Sequence, residues 1–194
     1  MLIAEPVPEY STPVVPLARR PDTLDGKVIG FLDGWGRRMD DGTVGMYPLM
    51  EALKDLLAQR YDLANVIWIH KPKAASSPTS EQMKMLLEEC DVVINGVCLS
   101  GGCTAGSVRD AVELEKLGLP TVTIAHTEYE HLARSLASNL GLPELPLFVV
   151  ATPVGGNVND DTDSVADRLA EVLEALTTAA ENDAHDKMGD PTDD

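Results

Sequence analysis

Apolar residues follow two alternating patterns along most of this chain, short continuous runs and a repeat every three to four residues. Short continuous runs are typical of strands buried on both faces of a sheet, and the repeat is typical of helices that bury one face. The runs predict strands at 27–33, 65–71, 91–97, 120–125 and 147–152. The repeat predicts helices at 46–61, 78–90, 104–117, 128–140 and 162–180.

Strict alternation of strands and helices predicts an α/β fold, with one doubly wound, mostly parallel five-stranded sheet and helices on both faces. We expect the flavodoxin-like variant of the Rossmann arrangement, strand order 2-1-3-4-5. Ser77 and Pro78 predict the cap and first turn of the second helix. The domain spans 26–180. A proline-rich extended arm, 1–25, precedes it, and a disordered acidic tail, 181–194, follows it.

The predicted strand order has a functional consequence, because it reverses the winding between the first and third strands. Open α/β sheets bind ligands at the carboxyl ends of such strands. Two segments meet there, Asp33 to Gly36 after the first strand and Cys98 to Cys103 after the third, and His126 lies on the same edge after the fourth strand. The sequence therefore predicts a site at this edge.

Cys103 is the first candidate for chemistry, because it lies where a glycine-rich turn enters a helix. A thiol at a helix N-terminus is more easily ionised, and the amides of Gly101 and Gly102 are available to hold an oxyanion. We expect an uncovered thiolate that acts as nucleophile or as acid and base. The alternative is a small buried cysteine in a tight turn.

Other residues of this edge have two interpretations each. Cys98 is a disulfide partner of Cys103 or a cysteine packed at a strand end. Ser100 donates to a substrate or caps the helix. His126 is a general acid or base, or a hydrogen-bonded surface histidine. The predicted substrate-binding residues are Asp33, Gly34, Trp35, Gly101, Gly102 and Thr104.

Composition narrows the possible partners. The formal net charge is −17, which repels phosphate backbones and argues against nucleic acid. Apolar runs are too short for a bilayer, and an odd number of cysteines, 3, argues against a disulfide framework. We expect a cytoplasmic protein with a small-molecule substrate, in a homo- or hetero-oligomer. No cofactor is predicted, although Cys98 and Cys103, with Ser100, form a possible transition-metal site.

Five segments carry a further signal: Leu17-Ala18-Arg19-Arg20-Pro21, 26–33, 93–97, 103–116 and 118–122. They resemble the UGSC-motif selenoprotein family and its cysteine homologues, which are distantly similar to selenoprotein B of glycine and betaine reductases. The similarity covers roughly 15–153.

The resemblance implies an α/β domain with a selenol or thiol redox pair in the turn after the third strand. The family motif, selenocysteine or cysteine followed by Gly-Ser-Cys, falls on Ser100, Gly101, Gly102 and Cys103. Serine therefore occupies the first redox position, and the resolving cysteine is kept. A redox step between positions 100 and 103 cannot operate with this serine.

Three functions follow from these residues. The first is a lyase, hydratase or isomerase that uses Cys103 on a small polar organic molecule, assisted by His126, Asp33 and Ser100. Glutamate and aspartate racemases are locally similar around such a cysteine. The second is a thiol oxidoreductase that uses Cys98 and Cys103 as a pair. The third is a non-catalytic subunit of a hetero-oligomer with a UGSC-type partner.

Overall fold

The computed structural model describes residues 12–151 and 165–178. The strands of the main sheet and the helices alternate along the chain, as the apolar pattern predicts. The strands are β1 (Val28–Asp33), β2 (Arg37–Arg38), β3 (Val44–Gly45), β4 (Asn65–His70), β5 (Val92–Cys98), β6 (Thr121–His126) and β7 (Leu147–Val150). The helices are α1 (Pro48–Arg60), α2 (Ser80–Glu89), α3 (Gly101–Lys116), α4 (Thr127–Asn139) and α5 (Leu169–Leu176).

Five strands form one sheet in the order β4-β1-β5-β6-β7, and all of its pairings are parallel. The predicted order 2-1-3-4-5 is therefore confirmed. The short strands β2 and β3 form a separate antiparallel hairpin, which the sequence did not predict. This hairpin follows β1 and therefore lies on the predicted ligand-binding edge.

Helices cover both faces of the sheet. Apolar residues of α1 and α5 pack with Phe31, Ile94 and Phe148 in the largest core cluster. On the other face α2 and α3 pack against Leu32 and Val93, and α3 also packs against α4. The predicted doubly wound α/β fold is confirmed, and these layers present the first turn of α3 at the carboxyl ends of the strands.

Two predicted helix starts are wrong, and the first of these errors matters for the site. Helix α3 begins at Gly101 rather than 104, because Ser100 caps it, and this places Cys103 inside the first turn. Helix α2 begins at Ser80, because Thr79 and Gln82 form a reciprocal capping box that Ser77 cannot make. The last predicted helix, 162–180, extends beyond the described residues at both ends.

The described part of the N-terminal arm, 12–25, has no helix or strand and lies against the domain. The amide of Val15 donates to the carbonyl of Gly141, and the amide of Ala18 donates to Glu115. Residues 1–11 and the predicted tail, 181–194, lie outside the described residues. In the ranges that are described, no helix is long and apolar enough to cross a membrane.

A buried ion pair fastens the arm to α3. The guanidinium of Arg20 donates to both carboxylate oxygens of Glu115, at 2.9 and 2.7 Å. Glu115 also accepts from the amide and hydroxyl of Thr121 at the start of β6. The same guanidinium donates to the carbonyl of Ala175 in α5. One carboxylate and one guanidinium thus join four segments that are distant in sequence.

Replacing Arg20 with Met leaves the Glu115 carboxylate buried without its cation. We expect the free energy of unfolding to fall by about 3–5 kcal/mol, measured by urea denaturation followed by circular dichroism. The control is Arg134→Met, which breaks an exposed pair with Glu130 on α4 and should cost about 0.5 kcal/mol or less. Equal losses in the two variants would contradict the assignment of Arg20 as a structural anchor.

Candidate functional site

The turn between β5 and α3 is built by reciprocal capping. Ser100 has extended backbone angles, φ −159° and ψ 164°, and its hydroxyl accepts from the amide of Cys103. Cys103 occupies the third helical position, and its sulfur accepts from the amide of Ser100. A cysteine therefore takes the place that glutamate or glutamine has in the usual capping box. Of the two interpretations of Ser100, the cap is the one the structure shows.

Donors converge on the sulfur of Cys103. The amides of Leu99 and Ser100 lie at 3.0 and 2.9 Å from Sγ, and the Ser100 hydroxyl lies at 3.1 Å. The carbonyl of Ser100, also at 3.1 Å, accepts from the thiol when the thiol carries its proton. The sulfur therefore has hydrogen-bond partners both as a thiol and as a thiolate.

The expectation that this sulfur is uncovered is wrong, since Cys103 is only 2% exposed. The capping interaction is the reason, because it turns the side chain back under the first turn of α3. Its neighbours along the chain are not buried: Gly101 and Gly102 are exposed, and Leu99 and Ser100 are half-buried. The sulfur therefore lies close to the surface, in a polar rather than an aliphatic setting.

Gly101 and Gly102 occupy the first two positions of α3. Amides at these positions have no partner inside a helix. Among the described residues neither amide has an acceptor. A β-carbon at Gly101 would meet no atom within 4 Å, so space remains open beside this turn. The predicted pair of available amides is therefore present.

Cys98 ends β5 and is fully buried. The pKa of its thiol is raised to about 12, first by burial and then by negative charge on Cys103. The hydroxyls of Thr104 and Ser107 and the charge of Lys71 oppose this rise. Both thiols are free in the structure. Thr104 is buried and its hydroxyl donates to the carbonyl of Ser100, so this side chain stabilises the turn.

Asp33 is fully buried at the end of β1, and its carboxylate organises the loop that follows. One oxygen accepts from the amides of Trp35 and Gly36, at 2.8 and 2.9 Å. The other accepts from the amide of Tyr47 and from the indole of Trp68, at 2.8 and 3.2 Å. With four protein donors in place, this carboxylate has a structural role that the sequence did not reveal.

The loop after β1 and the end of β5 are joined, as the strand order predicts. The amide of Gly34 donates to the carbonyl of Gly96, and the indole of Trp35 donates to the carbonyl of Val97. Gly34 is buried, and a β-carbon there would lie 2.9 Å from the Cα of Ala74. Trp35 is 41% exposed, so its ring remains available to a ligand at this edge.

His126 ends β6 and is buried. Side chains alternate along a strand, so His126 shares a face with Val122 and Ile124, which pack in the cluster that contains α1 and α5. Cys98 lies beside the hydroxyls of Thr104 and Ser107 of α3, on the opposite face, because the register of β5 shifts just before it. Burial lowers the pKa of His126, and the charge of Glu128 opposes this shift. His126 is therefore held on the α1 and α5 side of the sheet edge.

Sequence reasoning missed a second buried ion pair at this edge. Lys71 directly follows β4 and is fully buried, and its ammonium lies 2.7 Å from Oδ2 of Asp110 on α3. The ammonium also donates to the carbonyl of Ala74 at 3.2 Å. Burial raises the pKa of Asp110, and the charge of Lys71 opposes the rise.

One signal in the sequence points to this pair. Positions 103, 107 and 110 share one face of a helix, and here they carry Cys103, Ser107 and Asp110, all of which are buried. A polar stripe on the face of a helix that is predicted to pack against the sheet needs buried partners. Lys71, a charge at the end of a buried strand, is such a partner.

Glycine lets the segment after Lys71 lie directly on α3. A β-carbon at Gly106 would come within 2.9 Å of the carbonyl oxygen of Ala75 and 3.0 Å of that of Ala74. The loop 71–76 therefore approaches the helix backbone at a distance that only glycine allows. This close approach places Lys71 beside α3.

For the ranges 12–151 and 165–178, no group of three histidine, cysteine or acidic side chains is arranged to hold a metal ion. Cys98 and Cys103 with Ser100 stay a predicted metal site.

The model of the UGSC family matches residues 2–179. The chain therefore belongs to the UGSC family. No curated protein and no solved structure matches it.

The buried His126 makes stability depend on pH. Its lowered pKa means that the unfolded chain takes up a proton first as the pH falls below about 6.5. Stability contributed by the neutral ring is therefore present above that pH and is lost as the pH falls. His126→Gln should flatten the dependence of unfolding free energy on pH between about pH 7 and 5, measured by urea denaturation.

The exposed His131, five residues further along the chain, supplies the control. His131→Gln should keep the pH dependence of the wild type. If His126→Gln retained that dependence too, the burial of a neutral His126 would be refuted.

A side chain at position 106 would clash with the backbone of the loop 74–75, so adding one should destabilise the protein. We expect Gly106→Ala to lower the free energy of unfolding by about 1–3 kcal/mol, because backbone atoms of 74–75 must move. Gly101→Ala, where the β-carbon meets nothing, should change stability by less than about 1 kcal/mol. Thermal unfolding of the two variants measures both, and a neutral Gly106→Ala would contradict the packing of this loop.

Proposed function

We propose that this protein is an enzyme of lyase, hydratase or isomerase type that acts on a small polar organic molecule. The thiol of Cys103 serves as nucleophile or as acid and base in this proposal. The substrate binds at the carboxyl edge of the sheet, between the loop after β1 and the first turn of α3. The single observation that carries the proposal is the convergence of three donors on the sulfur of Cys103.

The surroundings of the sulfur support this role over that of a simple core cysteine. A core cysteine packs among apolar atoms, whereas this sulfur has two amides and a hydroxyl within 3.1 Å. Donors of this kind offset negative charge on a sulfur that has given up its proton. The carbonyl of Ser100 is placed to accept from the thiol, so the turn provides for both states of an acid–base group.

The neighbouring groups supply the rest of the chemistry. The amides of Gly101 and Gly102 point out of the same turn and suit an oxygen that gains negative charge during reaction. The partly exposed ring of Trp35 offers a surface on which a substrate can lie. Because Cys103 is buried, a substrate must reach the sulfur through a small displacement of the 99–102 turn, which carries no side chain at Gly101 and Gly102.

Thiol reactivity tests the proposal without a known substrate. We expect iodoacetamide to alkylate Cys103 of the native protein faster than Cys98, as measured by peptide mass spectrometry over time. Both residues are buried, and the pKa of Cys98 is raised to about 12, so that Cys98 stays a thiol, which reacts far more slowly than a thiolate. Alkylation of Cys98 at least as fast as Cys103 would argue against a reactive Cys103.

Turnover provides the second test. Wild-type protein is incubated with a panel of small hydroxy, amino and unsaturated acids, and lyase, hydratase or isomerase products are sought by NMR. We expect Cys103→Ala to lower the observed turnover by a factor of about 10² or more. Cys90→Ala, at the end of α2 and remote from this edge, is the matched control. Unchanged turnover in Cys103→Ala ends the proposal.

A second candidate, a thiol oxidoreductase, is favoured by one observation: charge on Cys103 acts on the pKa of Cys98, so the two sulfurs lie near each other. In that reaction the two thiols lose two protons and two electrons to an oxidised substrate and form a disulfide, which a partner protein then reduces. Mild oxidation followed by mass spectrometry distinguishes the candidates. Two thiols that persist at positions 98 and 103 exclude the disulfide.

A further inference from the structure

We infer that β4, an outer strand of the sheet, pairs with β4 of a second copy of this chain. The two strands run antiparallel about a two-fold axis at Trp68. This pairing does not depend on the proposed function, because Cys103 follows β5, two strands further into the sheet. Antiparallel pairing also points the carboxyl edges of the two sheets in opposite directions, so each candidate site is built from one copy.

The composition of β4 suits a strand that another strand covers. In the described part of the chain β4 pairs with β1 alone. Exposed edges invite pairing with another chain, and proteins usually block them with proline, charged side chains or bulges. Strand β4 contains no proline, no lysine and no register shift, and its central residues are the apolar Val66, Ile67, Trp68 and Ile69.

The outward backbone groups of β4 belong to Val66, Trp68 and His70. The amide of Lys71 donates to the carbonyl of Asp33 on β1. Hydrogen-bonding groups alternate in direction along a strand, so residues 65, 67, 69 and 71 face β1 and the residues between them face away. Each of the three outward residues therefore presents an amide and a carbonyl at the edge.

Side chains occupy only the two ends of this row of groups. The amide of Val66 donates to the side chain of Asn65 at 2.9 Å, and the carbonyl of His70 accepts from Gln82 at 3.0 Å. The carbonyl of Val66, the amide and carbonyl of Trp68, and the amide of His70 have no hydrogen-bond partner in the ranges that the structure describes. The middle of β4 is therefore open to another strand.

The opposite edge of the sheet is different, because the chain covers it. Strand β7 is shorter, and the guanidinium of Arg168 donates to the carbonyl of Val149 at 2.6 Å. The same guanidinium lies over the ring of Phe148, 4.9 Å from its centroid. Of the two outer strands, β4 is the one that offers open groups in its middle.

An antiparallel copy matches the open groups one for one. With Trp68 on the two-fold axis, the amide of each Trp68 donates to the carbonyl of the other. The amide of each His70 then donates to the carbonyl of Val66 in the other copy. The amide of Val66 and the carbonyl of His70 also meet across the axis. Their pairing releases a donor on Gln82 and an acceptor on Asn65 beside each other.

Charges that flank the strand are complementary in the same arrangement. Asp62 lies three residues before β4 and Lys73 three residues after it, and both are exposed. Antiparallel pairing about Trp68 brings Asp62 of each copy beside Lys73 of the other, and the two-fold axis makes two such pairs. This complementarity favours a second copy of the chain as the occupant of the edge.

Sedimentation velocity over a series of protein concentrations tests the pairing, and we expect the wild type to form a dimer. His70→Pro removes an amide that faces away from β1, so the bonds to β1 are kept while the edge loses a donor. We expect it to raise the dissociation constant of the dimer at least about tenfold, because the axis repeats the loss. His70→Ala, the matched control, keeps the amide and should dimerise as the wild type does. Equal dimerisation of the two variants overturns the inference.

Charge reversal gives a test that holds even if His70→Pro does not fold. Asp62→Lys sets two lysines against each other across the axis and should raise the dissociation constant about threefold or more at low salt. Adding Lys73→Asp reverses both charges and should restore dimerisation. Glu144→Lys makes the same change of net charge at an exposed position beside β7 and should have a smaller effect.

Three results would contradict pairing through β4. The first is a wild type that stays monomeric up to about 1 mM, which would mean that the edge is blocked or covered within one chain. The second is a double charge reversal that does not restore what Asp62→Lys removes. The third is a dimer that neither His70→Pro nor Asp62→Lys weakens, since such a dimer uses another surface.

Discussion

Buried carboxylates without partners are strongly unfavourable, so the need to pair them constrains how the segments of this fold pack together. Three buried carboxylates occur in the described part of the chain: Asp33, Asp110 and Glu115. Each has a different set of partners. Asp33 accepts from amides and an indole, Asp110 from the ammonium of Lys71, and Glu115 from the guanidinium of Arg20 and from Thr121. Together these contacts fix where loops, arm and helices lie on the sheet.

Helix α3 carries two of these carboxylates and the candidate thiol, and contacts hold it at three places along its length. Ser100 and Cys103 cap its first turn, Lys71 holds its middle, and Arg20 holds its last turns. A reactive group gains precision when its scaffold is held in this way. By contrast, the hairpin after β1 is largely exposed, which leaves that side of the edge the more adaptable one.

Cys103 shows that a local sequence pattern can predict a candidate reactive group without predicting whether that group is buried. Glycine, cysteine and a helix start predicted a thiol beside available amides, and the amides of Gly101 and Gly102 are where they were expected. The pattern also predicted an uncovered sulfur, which is wrong. Whether a cysteine at this position faces outward or folds back depends on the cap. The cap depends on Ser100, whose hydroxyl accepts from the amide of Cys103.

The sequence by itself determined the five strands of the main sheet, their order and the helices between them, although not where each helix begins. It could do so because burial on one or two faces gives a periodic pattern of apolar residues. It also indicated the edge at which Asp33, Cys98, Cys103 and His126 end their strands or begin a helix. Only the tertiary structure decided what these side chains contact. Lys71 and Asp110 are 39 residues apart, and Arg20 and Glu115 are 95 apart. No local sequence pattern indicates which buried charged residues form ion pairs, because these pairs form only when distant segments pack together.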